Sequence, residues 1–111
     1  MKITENDLKT IVQTLSYNYN IVASGPFYSN QLYIIIIDKN NIKNHYRIFI
    51  NTEFNHIIFQ YINEIDDVII DLCSYVLCEN TYNDTITDII ILIFSVLNYY
   101  MNVLVYAIES E

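Results

Sequence analysis

The sequence predicts an α+β fold: an N-terminal helix, a three-stranded antiparallel sheet, then two or three helices packed on the sheet. Three observations point there. Apolar residues recur at helical spacing near the N-terminus. Three short β-branched runs separated by turn residues follow, up to Ile50. The remainder returns to helical spacing over long stretches. With 111 residues, the chain is read as a single compact domain over 1–111, large enough for one core.

Thr4 opens a capping box, with Asp7 three residues on where Glu or Gln is usual. Leu8, Ile11, Val12 and Leu15 then fall at i, i+3, i+4 and i+7, an amphipathic helix of about three turns. Tyr19 to Ser24 reads as a strand, stopped by Gly25-Pro26. Gln31 to Ile37 is the second strand, and its run of isoleucines suits a pleated sheet. Asp38-Lys39-Asn40-Asn41 makes a turn. His45 to Ile50 alternates Tyr46, Ile48 and Ile50 against Arg47 and Phe49 as a third strand, and a meander is the simplest pairing.

Asn51 or Thr52 is expected to cap the next helix. Phe54, Ile57, Ile58, Tyr61, Ile62 and Ile65 recur at helical spacing, and Val68, Ile69, Leu72, Cys73 and Val76 continue it. This predicts one long helix, or two joined near Asn63. Asn80 to Asn83 breaks the pattern, and Asp84 or Thr85 caps a last helix reaching Ile108. Ile89 to Ile108 is uncharged and meets the length rule for a membrane span. However, Asp88, Ser95, Asn98 and Asn102 form a polar stripe, and no Lys or Arg flanks the segment. A buried central helix, or half of a dimer seam, is expected instead.

Charge is divided unevenly along the chain. The last Lys or Arg is Arg47, so the first 47 residues sum to +2, the rest to −10, and the whole to −8. Such a surface repels nucleic acid and membrane phosphates and attracts a basic groove on another molecule. An apolar content of 53% argues against disorder. Heavy use of Ile, Asn and Tyr fits an AT-rich genome such as a mobile element. No basic n-region precedes an apolar core at the N-terminus, so a cytoplasmic location is expected, in the host cell if the gene is phage-borne.

Catalytic chemistry finds little footing. His45 and His56 have no nucleophile or metal partner at a usual spacing. One glycine rules out phosphate-binding Gly-rich loops, and five basic residues cannot track a nucleic-acid backbone. Cys73 and Cys78, five apart on an expected helix, suit neither a disulfide nor a zinc site and read as buried thiols. No enzyme activity, metal or cofactor is expected.

The acidic residues are the constellation with content. Glu64, Asp67 and Asp71 lie at i, i+3 and i+7, which on a helix is one face. Asp66 sits beside them, and Glu79, Asp84 and Asp88 follow. One reading is a solvated face that keeps an apolar domain soluble. Another is a phosphate mimic, with carboxylates one helical turn apart competing with DNA for an arginine-rich channel. A calcium loop is disfavoured, since Asp66 to Asp71 lacks the glycine and terminal glutamate of an EF-hand. Tyr28 and Tyr82, near loops, are candidate interface anchors.

The order of short motifs carries a resemblance. Asn6-Asp7-Leu8 opens a helix, a strand ends in Ser24-Gly25, and Gln31-Leu32 leads into isoleucines. An Asn-containing turn and a strand ending before a Phe/Ile helix follow. This half of the chain resembles the small acidic type II-A anti-CRISPR inhibitors. The resemblance implies a helix, a three-stranded sheet and further helices. It also implies an acidic DNA mimic that occupies the site where an RNA-guided nuclease reads its short DNA motif. That family places acids in the turn between its second and third strands. Here only Asp38 carries over, and Lys39 and Lys43 depart from the pattern.

The expected function is therefore inhibition by binding. The protein would be a phage or mobile-element anti-CRISPR whose partner is a basic nucleic-acid-binding protein, a CRISPR effector in the first place. The expected contact residues are Asp38, Glu64, Asp66, Asp67, Asp71, Glu79, Tyr82, Asp84 and Asp88. An antitoxin or immunity protein against a basic nuclease is one alternative. A module dimerising through the C-terminal helix is another.

Overall fold

Five strands follow one another across a single antiparallel sheet in the order β1-β2-β3-β4-β5. The computed structural model describes residues 3–25, 30–63, 65, 67–77 and 82–109, without the side chains of 23, 24, 82–84 and 101–109. The elements are α1 (Glu5–Leu15), β1 (Asn20–Ser24), β2 (Gln31–Ile37), β3 (Lys43–Asn51), β4 (His56–Asn63), β5 (Val68–Val76) and α2 (Tyr82–Glu109).

α1 begins as the sequence indicates. The Asp7 amide donates to Thr4 Oγ1 at 3.2 Å, and the Thr4 amide donates back to Asp7 Oδ2 at 2.8 Å. Two orphan donors of the first turn are thereby satisfied. Leu8, Ile11, Val12 and Leu15 are buried.

The class is α+β, but the expected arrangement of three strands and two or three later helices is wrong. The stretch from Phe54 to Val76 forms two further strands, and one C-terminal helix follows. Two physical reasons account for this. First, β4 and β5 are rich in β-branched and aromatic residues, which lose χ1 freedom in a helix and pack well on a pleated surface. An apolar run of this kind fits both periods, and β4 is buried on both faces from Ile57 to Gln60, so it shows no alternation. Second, the same polar chemistry that starts helices also makes turns. Asn51 Oδ1 accepts from the amides of Glu53 and Phe54 at 3.0 and 3.2 Å, which closes a turn after β3 rather than capping a helix. Asn55 takes a left-handed φ of 50°, and Asp67 one of 53° before β5. Both conformations interrupt a helix.

The register places Tyr46 opposite Tyr61, Ile48 opposite Phe59 and Ile50 opposite Ile57 on the helix-covered face. Leu32, Ile34 and Ile36 extend that face, and Leu8, Ile11 and Leu15 of α1 with Ile89, Ile93 and Leu97 of α2 complete one core. α2 buries a single stripe, and Ile91 and Tyr99 stand exposed on it. Over residues 85–100, where its side chains are described, it is a covering helix rather than the buried central one, the first of the two alternatives expected. Among the described residues, no helix is long and apolar enough to cross a membrane.

Tyr46 is fully buried, stacked on Phe59 at 5.2 Å and edge-on to Tyr61 at 5.7 Å. Among the described residues its hydroxyl finds no hydrogen-bond partner. A buried hydroxyl in that state costs about 1–3 kcal/mol. Tyr46→Phe keeps the ring packing and removes the stranded oxygen. Its urea-unfolding free energy is expected to equal or exceed that of the parent by up to about 1 kcal/mol; a clear loss would mean that the hydroxyl is satisfied.

Candidate functional site

Strand order follows sequence order, so the meander turns the charge division of the sequence into a division in space. Four of the five cations, Lys9, Lys39, Lys43 and Arg47, lie on α1 and the β2–β3 hairpin. Everything built from residue 48 onward, namely β4, β5 and α2, carries neither Lys nor Arg. The β5 side of the molecule is thus an anionic flank.

The expected acidic helix face is not formed, because its residues are not helical. Asp67 is exposed in the turn before β5, and Asp71 is exposed within β5. Four residues of strand separate them by about 13 Å. Asp88 lies on α2, where its Oδ2 accepts from the Tyr75 hydroxyl of β5 at 3.2 Å. These acids are spread along the flank instead of being stacked at one-turn spacing. Glu64, Asp66 and Glu79, with Tyr28 and Cys78, lie outside the described residues, as do the side chains of Tyr82, Asp84 and Asn102.

Asp38 serves the fold. Its Oδ1 accepts from the amides of Asn40 and Ile42 at 2.9 and 3.0 Å, and its Oδ2 accepts from Asn44 Nδ2 at 3.1 Å. Both oxygens are used in shaping the β2–β3 turn, where Asn41 has a φ of 63°. Lys39 and Lys43 share that end of the sheet with Asp67. The β3-to-β5 separation is about 10 Å, close to a Debye length at physiological salt. They therefore offset Asp67 only in part.

Sequence reasoning missed a polar relay on the face of the sheet opposite the helices. Arg47 Nη1 donates to Gln31 Oε1 at 3.1 Å, and Arg47 Nε donates to Gln60 Oε1 at 2.7 Å. Gln60 Nε2 donates to Asp71 Oδ1 at 2.7 Å. The register sets it up, since Arg47, Gln60 and Asp71 are successive cross-strand partners. Arg47 also lies 5.3 Å from the Phe49 ring centroid, in cation–π range. Polar residues recurring inside apolar strands were the available signal, but it has meaning only once β4 and β5 are paired.

The two histidines fall on strands, His45 within β3 and His56 at the start of β4, in the stretch where a helix was expected. Among the described residues, no group of three or more His, Cys, Asp or Glu is placed to hold a metal ion. A shallow apolar pocket between β4, β5 and α2 is lined by Phe59, Cys73, Tyr75, Ile89, Leu92 and Ile93 among others. Cys73 is on β5, not on a helix. Burial pushes its thiol up to about 11, against a weaker lowering by a backbone hydrogen bond from Phe59. A thiol so protonated is a poor nucleophile.

Comparison with protein-family models, with curated proteins and with solved structures finds no match to this chain.

Two predictions come from this geometry. Gln60→Ala breaks the relay at its centre and leaves Arg47 and Asp71 without their shared partner. A loss of about 1–3 kcal/mol is expected in urea unfolding, and an unchanged midpoint would show the relay to be energetically idle. The second concerns pH. Burial raises the Cys73 thiol and the phenols of Tyr19, Tyr46 and Tyr100 above their ordinary values of 9.0 and 10.0. These groups ionise first in the unfolded chain, so their contribution is complete below pH 9 and is lost as pH rises through 11. Denaturation midpoints should hold between pH 7 and 8.5 and fall steadily above about pH 9.

Proposed function

We propose that this protein acts by binding: its anionic flank docks on a basic nucleic-acid-binding protein and inhibits it. A CRISPR effector is the first candidate, which makes the protein a phage or mobile-element anti-CRISPR of the DNA-mimic kind. The observation that carries the reading is the flank of β4, β5 and α2, three elements with no Lys or Arg that the strand order sets apart from the cations of α1 and the β2–β3 hairpin. Clustered single-sign potential steers an oppositely charged partner and raises its encounter rate. Hydrogen bonding of Asp71 and Asp88 within the fold does not remove their charge, so they still contribute to that potential.

The form of the mimicry differs from a helical ladder of carboxylates. Asp67, Asp71 and Asp88, before and within β5 and on α2, are exposed, as is Glu53 in the β3–β4 turn, and Glu64, Asp66, Glu79 and Asp84 belong to the same stretch of sequence. An antitoxin or immunity protein aimed at a basic nuclease would use the same electrostatics. A dimer through α2 is a second reading, favoured by the exposed Ile91 and Tyr99 on that helix. Sedimentation that gives a monomer at micromolar concentration would remove it.

The test is inhibition of DNA cleavage by a type II-A effector complex, with displacement of its short-motif DNA as a second readout. Asp67→Asn suits the left-handed backbone at that site. Combined with Asp88→Asn, it should weaken inhibition several-fold at moderate salt, and rising ionic strength should weaken the parent in the same way. Undiminished inhibition by the double variant would defeat the electrostatic reading. Inhibition of a basic toxin nuclease, with none of the effector, would transfer the function to the immunity class.

A further inference from the structure

We propose that the outer edge of β5 is a docking strip for an extended, lysine- or arginine-bearing segment of the partner, which adds to the sheet as a sixth strand. The inference rests on the reading above that the partner is basic, and it names the mode of attachment.

The two edges of the sheet are built differently. β1 is five residues long, its register with β2 shifts between Ile21 and Ala23, and Gly25-Pro26 follows it. Short length, a bulge and a nearby proline are the usual means of blunting an edge. β5 is nine residues long and has no Lys, Pro or Gly; its register with β4 shifts at Leu72, but Val68 to Asp71 pair in an unbroken run before it. Val68, Ile69 and Ile70 are 45, 46 and 43% exposed along it. Among the described residues, no strand pairs with β5 on the side away from β4. In such a strand alternate residues turn their N–H and C=O groups outward, which is a template for another strand.

Charge selects the occupant. Asp67 precedes β5, Asp71 lies within it, and Asp88 is held against it by the Tyr75 hydroxyl. No cation comes from β4, β5 or α2 to balance them. A second copy of the chain, paired edge to edge, would bring together two strands that both carry Asp67 and Asp71 and no cation, and their like charges repel. An incoming strand that alternates apolar and basic residues gains on both counts. Its apolar side chains cover Ile69 or Ile70, its cations meet the carboxylates, and its backbone completes the ladder.

The test uses the full chain and a labelled short peptide of alternating lysine and valine, read by fluorescence anisotropy. The controls are the same peptide N-methylated at every central residue, which keeps the charge and cannot donate to a ladder, and an alternating glutamate and valine peptide. The lysine peptide should bind, and the N-methylated form should bind about tenfold more weakly or worse. The glutamate peptide should not bind. Ile69→Lys, at an exposed edge position, should weaken lysine-peptide binding to a similar degree with an unchanged urea midpoint. If that variant fails to fold, the N-methylation comparison still decides. Equal, salt-sensitive binding of both lysine peptides would overturn strand addition and leave the anionic-flank reading standing. No binding of either at low salt would overturn both. A dimer in sedimentation that the lysine peptide dissociates would assign the edge to a second copy and overturn the proposal.

Discussion

The register between β3 and β4, from His45 opposite Ile62 to Asn51 opposite His56, decides which side chains meet on each face of the sheet. It places Tyr46, Ile48 and Ile50 with Tyr61, Phe59 and Ile57 under the helices, and it sets Arg47 beside Gln60 on the opposite face. A slip of one residue would exchange the two sets. Arg47 would then enter the apolar core beneath the helices, at a cost far above the worth of any single apolar contact. The relay and the aromatic stack thus hold the same register from opposite sides. β5 follows from this, since Asp71 can reach Gln60 only if β4 stands where β3 puts it.

How much of this was legible in the sequence depended on whether the decisive partner was local. α1 could be read because its cap, Thr4 with Asp7, and its buried stripe lie within a few turns of each other. β2 could be read because its isoleucine run has no competing helical stripe. β4 and β5 could not. Their apolar residues satisfy two periods at once, and what chooses between them is pairing with β3, a contact across the chain. Asn51 worked against the reading as well, since an asparagine before a polar pair signals a helix start and a strand-ending turn equally. The site suffered in consequence. Glu64, Asp67 and Asp71 formed a face only under the wrong period, whereas Gln31, Arg47, Gln60 and Asp71 form a row only under the right one.

The acids of this chain have two kinds of work. Asp7 closes a helix cap, Asp38 shapes a turn, Asp71 ends the relay and Asp88 ties α2 to β5. Each of these is a local hydrogen-bonding task that a neutral acceptor would perform less strongly. Electrostatic potential is a separate property, because it sums over charges whatever their hydrogen bonds. Asp38 lies beside Lys39 and Lys43, so it adds little to a long-range field. Asp71 and Asp88 stand where no cation follows them in sequence or in the order of strands. Structural use and surface potential therefore coexist on the flank and separate at the β2–β3 turn.

An exposed β-branched edge is a hazard for a protein, since it invites pairing with any extended chain. β5 has neither lysine nor proline, its bulge at Leu72 leaves Val68 to Asp71 in regular pairing, and net charge does the rest. With −10 on residues 48–111, two copies approaching edge to edge repel before the ladder can form. That repulsion is selective, because it opposes acidic and self-identical strands and favours cationic ones. Lysine on the edge would oppose cationic strands, whereas carboxylates beside it admit them and oppose acidic ones. The same distribution of charge that keeps the sheet from extending through its own copies thus defines what can extend it.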